Sequence, residues 1–199
     1  MSLRSALRSA FRRFRRDESG SITVEAVLMI PILVWVLLAS FVFFNSYRQQ
    51  SLNLKVAYTL TDIVSRETNE PITPEFVDSL FRLQGFLLGT GEPQKLRLSL
   101  IRYTAGPPAT YRVVWSQERG WAGTMTNARL NSIKDKAIPL MSDGEVAIIL
   151  ETSADYTPAF RVGIGPQTFT NFMVMRPRFN SSQFCWANNN DAPWPAQVC

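Results

Sequence analysis

The 199-residue sequence predicts an α+β protein: a long N-terminal membrane-spanning helix followed by a mostly antiparallel α+β extracytoplasmic head. Three observations carry that prediction. Residues 26–44 form a run of 19 in which only Ser40 is polar and only Pro31 disfavours a helix. Arginines crowd the chain before this run and thin out after it. Beyond residue 90, apolar residues alternate in short segments bounded by Gly and Pro, the period of a strand with one buried face.

Residues 1–20 read as a basic leader. Arg4, Arg8, Arg12, Arg13, Arg15 and Arg16 are offset only by Asp17 and Glu18, so the leader carries +4 of the formal +5. The positive-inside bias then keeps the N-terminus in the cytoplasm and sends the remainder outward. A charge excess confined to a leader gives no support to nucleic-acid binding. Leu3, Leu7, Phe11 and Phe14 fall at helical spacing beside an arginine stripe, which suits an anionic leaflet. The Arg and Ser content also resembles a mitochondrial transit peptide, although a topogenic charge cluster is the simpler reading.

Residues 21–45 are the predicted transmembrane helix. Nineteen apolar residues span about 28 Å as a helix, close to a hydrocarbon core of about 30 Å. The run is too long for a secretory signal peptide, and no A-x-A-like site follows it. Tyr47 and Arg48 suit the outer interface.

Residues 46–69 continue the helix outside the membrane as a stem. Leu52, Val56, Leu60, Ile63 and Val64 form an apolar stripe, with Lys55, Asp62 and Arg66 off it. The segment Glu70-Pro71-Ile72-Thr73-Pro74 breaks the helix.

Residues 70–199 are the predicted head, long enough for one compact domain, with a polar C-terminal tail. A helix over 74–88 follows Thr73 as cap and places Phe76, Leu80, Leu83 and Leu87 on one face. Leu96, Leu98 and Leu100 mark a strand over 95–103; Gly106-Pro107-Pro108 turns the chain into a partner strand over 110–116. Residues 121–138 are ambiguous, with a helix possible around 128–136. Strands over 145–156 and 168–175 complete a mostly antiparallel sheet.

One charged residue breaks the apolar logic of the N-terminal helix. Glu25 lies just inside its start, four residues after Ser21 and six before Pro31. A carboxylate at the centre of a membrane helix costs about 2.5–3.5 kcal/mol, and less near its edge. The string Gly20-Ser21-Ile22-Thr23-Val24-Glu25-Ala26-Val27-Leu28-Met29-Ile30-Pro31 resembles the TadE-like family, minor pilins (pseudopilins) of the tight-adherence, or Flp, type IV pilus system. The resemblance covers residues 15–60 or so. It implies a pilin-like architecture and cleavage by a prepilin peptidase between Gly20 and Ser21. It also implies a bacterial inner-membrane location with a periplasmic head, and assembly with other pilins and pseudopilins. Ala26 stands where major Flp pilins carry tyrosine, and the chain is far longer than they are, so it does not fit the bulk subunit.

Under that resemblance Glu25 has an assembly role. Cleavage exposes an α-amino group at Ser21, with a reference pKa of about 7.7–8.0. A neighbour's amine meeting Glu25 offsets the desolvation of both charges. The simpler alternative is a carboxylate favoured by the helix dipole and reaching the headgroups. Pro31 removes a backbone donor beneath the Val27 carbonyl and should kink or loosen the helix, although membrane helices also tolerate proline for no such purpose.

Cys185 and Cys199 form an even pair in a chain whose head is expected outside the cytoplasm, which suits one disulfide. Catalytic chemistry is poorly supplied. The chain has no histidine, which excludes Ser-His and Cys-His pairs and His-ligated metals. Gly89-Thr90-Gly91-Glu92-Pro93-Gln94-Lys95 lacks phosphate-loop spacing. Glu145, Glu151 and Asp155 read as ordinary strand-face charges. The sequence therefore points to a structural, non-enzymatic protein without cofactor or metal. The alternatives are a single-pass anchored periplasmic scaffold of a secretion or envelope complex and, behind it, an anchored carboxylate-based hydrolase.

Overall fold

The computed structural model describes residues 21–68, 71–179, 184–187 and 198–199. The basic leader and Gly20 lie outside the described residues. Among the described residues, three helices and four strands follow in the order α1 (Ser21–Ser65), α2 (Pro74–Leu88), β1 (Gln94–Thr104), β2 (Thr110–Arg119), α3 (Asn127–Ala137), β3 (Val146–Tyr156) and β4 (Gln167–Met175). The chain divides into two compact units. One holds the described part of Met1–Phe44 together with Ala159–Ile164; the other holds Asn45–Pro158 and Gly165–Cys199.

The second unit is built on an antiparallel sheet of order β2-β1-β3-β4. Its two central strands are buried on both faces. On one face Leu96, Leu98, Leu100, Ile148 and Leu150 share a core with Val56, Leu60 and Val64 of α1 and Val77, Leu80 and Leu88 of α2. The opposite face of the same strands, Ile101, Ala147 and Ile149, packs with Leu130 of α3, Met125 and Met141. The alternation of leucines in β1 signalled only the first face. The second is covered because 127–137 is a helix, its N-terminus capped by Thr126, whose side chain accepts from the Arg129 N–H at 3.3 Å.

Two expectations about α2 are corrected. Thr73 occupies the N-cap position but makes no side-chain capping bond; Pro74 opens the helix, where its missing N–H costs nothing, and Gly89 ends it at φ 61°. The deepest face is Val77, Leu80, Gln84 and Leu88, with Phe76, Leu83 and Leu87 packed at its margin. The core therefore meets α2 about one residue round from the purely apolar stripe, because Gln84 earns a place inside. Its amide donates to the carbonyls of Lys95 and Ser153, at 3.3 and 3.2 Å, tying the helix to paired positions of β1 and β3. Gly120 follows β2 at φ 79°, beside the start of β1, and a Cβ there would fall 2.8 Å from the Gln94 carbonyl oxygen.

Residues 184–187, read from the sequence as part of a polar tail, are buried in the core. The Ile72 N–H donates to the Cys185 carbonyl at 2.8 Å, and Ala187 N–H donates back to Ile72 at 3.0 Å. Trp186 pairs in turn with Val198 through two 2.8 Å bonds. Trp115 stacks on Phe184 and donates its indole N–H to the Phe184 carbonyl at 3.0 Å. Cys185 and Cys199 are joined by a disulfide, with Cα atoms 4.3 Å apart.

Candidate functional site

Within its own unit, the first half of α1 keeps its apolar side chains exposed. Residues 22–37 include no buried position, although nearly all are apolar. This helix is long and apolar enough to cross a membrane. A surface that is apolar all round has no aqueous face, so its natural solvent is lipid or another apolar helix. Ser40, the polar exception, is exposed but donates its hydroxyl to the Val36 carbonyl at 2.8 Å and so satisfies that donor within the helix.

Glu25 stands one turn into α1, exposed, with no hydrogen-bond or ion-pair partner among the described residues. Ser21 begins the helix, and Pro31 lies within it without ending it. The helix therefore accommodates the missing donor at residue 31 rather than stopping there. Glu25 and Pro31 are two turns apart on one element; Gly20, the other member of the predicted processing and assembly set, lies outside the described residues.

The second charged cluster sits in the head, and only part of it was legible. Glu151, expected to be a strand-face charge, is buried opposite Arg97 on β1. One carboxylate oxygen accepts from Arg97 at 2.7 Å, and the other is paired with Arg129 of α3. Arg97 also donates to the Gly123 carbonyl at 3.1 Å and lies 4.6 Å from the centre of the Trp121 ring. Every strong polar group in the cluster is thus engaged, and the arrangement clamps α3 and the residues before it onto the sheet. Strand parity places Arg97 on the face opposite Leu96 and Leu98, the same face as Glu151, so nothing in the sequence signals the pair until α3 is seen to cover that face. Glu145 pairs with Arg176, and Asp155 accepts from the Thr168 hydroxyl at 2.7 Å. These three carboxylates are held separately by their own partners, which leaves no facing pair for glycosidase-type chemistry among them.

On the opposite edge, Asp78 of α2 is paired with Arg119 of β2. The Arg119 hydrogen bond holds its carboxyl below the usual value of 3.8; burial opposes that shift, while the charges of Arg119 and Arg82 add to it.

Fold and charged sites together define an α+β protein with a disulfide-bonded sheet head and, among the described residues, one helix long and apolar enough to cross a membrane. No protein-family model, curated protein or solved structure matches the chain.

Proposed function

We propose that this chain is a minor pilin (pseudopilin) of a tight-adherence type IV pilus. It is anchored in the bacterial inner membrane with its head in the periplasm, and cut by a prepilin peptidase between Gly20 and Ser21. The observation that carries the reading is Glu25, a carboxylate without a partner among the described residues, one turn inside an exposed apolar helix. An isolated charge in that setting is costly unless a partner arrives from outside the chain. The amine released at Ser21 of a neighbouring subunit has the right charge, and an axial stagger of about 6 Å, four residues of helix, brings it level with Glu25. The disulfide supports an oxidising compartment for the head.

Mass spectrometry of the mature protein tests processing: the expected N-terminus is Ser21, and Gly20→Ala should retain the leader. Glu25→Val tests assembly. The substitution removes a charge that lipid disfavours, so insertion should be unchanged or easier and cleavage largely preserved. Piliation should nevertheless fall sharply, with partial rescue at best by Glu25→Asp. Normal piliation in Glu25→Val cells would make the residue a helix-start charge and favour an anchored periplasmic scaffold instead.

A further inference from the structure

We propose that the β3–β4 loop, Ala159–Ile164, is a second, shallow membrane contact that inserts into the outer interface of the bilayer. The inference rests on reading α1 as the membrane anchor. Although flanked by sheet strands, this loop groups with the apolar half of α1 rather than with the head. Phe160 meets Phe41 edge-on, with ring centres 6.2 Å apart. A Cβ built at Gly163 would lie 3.6 Å from the Phe43 ring, which places the loop backbone beside that ring, while the φ of 79° is what favours glycine at the position.

Those partners fix the depth. Phe41 and Phe43 belong to the last turn of the 26–44 apolar run, within about 5 Å of its end. The loop must therefore lie where acyl chains give way to headgroups. Irregular backbone is excluded from the hydrocarbon core but tolerated at the interface, where water and headgroups can satisfy it. The loop's chemistry matches that zone. Phe160 is 46% exposed despite its contact with Phe41, and Val162 and Ile164 are only half-buried. Arg161 is exposed between them, placed to reach outward to phosphate groups. Pro158 and Pro166 flank the loop and bring no N–H donors to be desolvated.

The full chain, labelled with a nitroxide at Phe160→Cys under non-reducing conditions, tests this in phosphatidylethanolamine–phosphatidylglycerol vesicles. Ile32→Cys serves as the anchor reference and Ala109→Cys, in the exposed β1–β2 turn, as the water reference. Collision with oxygen relative to a water-soluble nickel complex reports depth. The expected ratio at 160 lies clearly above that at 109 and below that at 32. A ratio at 160 equal to that at 109, with 32 still lipid-embedded, overturns the loop contact while leaving the anchor intact. Low accessibility of 160 to both reagents would mean that protein covers the loop, and overturns its assignment to lipid. If 32 itself is open to nickel, the anchor reading falls and the loop contact with it.

Discussion

The two halves of α1 belong to one helix and solve opposite problems. From residue 22 to 37 no side chain is buried, and beyond Glu25 the surface is apolar on all sides. From Asn45 onward only a stripe is apolar, and Val56, Leu60 and Val64 along it are almost completely removed from solvent by the sheet and α2. Polar residues near that stripe are buried as well, and their donors are engaged, although the Asn53 Oδ1 has no partner among the described residues. Asn53 donates to the Phe169 carbonyl at 2.9 Å, and Thr61 donates to Ala57 at 2.6 Å. The last carbonyl of the helix, at Ser65, accepts from the Arg178 N–H at 2.8 Å. Total apolar content says that a helix avoids water; the angular distribution of that content says whether protein alone can shield it.

The same substitution in each half should break different properties. Leu60→Asp places a charge in the head core, with a penalty of several kcal/mol, and should abolish cooperative unfolding while the chain still floats with vesicles. Leu33→Asp should do the reverse, reducing insertion by about 2.5–3.5 kcal/mol while leaving head unfolding intact. Near-UV circular dichroism and vesicle flotation on both variants measure the two effects; loss of both properties in either variant would mean that the halves are not separable.

Glu151→Ala strands the buried Arg97 and should lower head stability by about 3–5 kcal/mol, read from denaturant midpoints, with no change in flotation. Cys185→Ser opens a 14-residue sequence separation and should cost about 3 kcal/mol in the same assay. Its distinguishing sign is increased quenching of Trp115, which Phe184 and Trp186 cover.

The smallest effect is at the Asp78–Arg119 pair, an exposed contact that joins α2 to β2. Because the folded carboxyl is depressed below 3.8, its contribution is present above that value and is lost as pH falls through the lower folded value. The difference in urea midpoint between wild type and Asp78→Asn should therefore be largest near neutral pH and vanish in strong acid. Added salt should shrink it as well, because exposed pairs are screened.

Local pattern was readable where one residue type dictates one conformation. The bounds of α2 follow from Pro74 at its start and Gly89 at its end, and the four strands follow from apolar alternation between turn residues. The 127–137 helix was less legible because its mean character is polar and only Leu130 is buried. Glu151 was misread because strand parity places it on a face that looks solvent-exposed until α3 is known to cover it. The burial of 184–187 was hidden by the polar residues that follow.

Sequence alone determined that a long apolar helix precedes an α+β head, and that Glu25 is a lone acid near that helix's start. These are properties of composition and spacing, carried by backbone preference and by the cost of wetting apolar surface. Only tertiary structure decided that both faces of β1 and β3 are covered, that Arg97 and Arg129 converge on Glu151, and that residues 159–164 group with the apolar half of α1. Each depends on contacts between residues far apart in the chain, where burial is set by what another element covers and not by the residue's own neighbours.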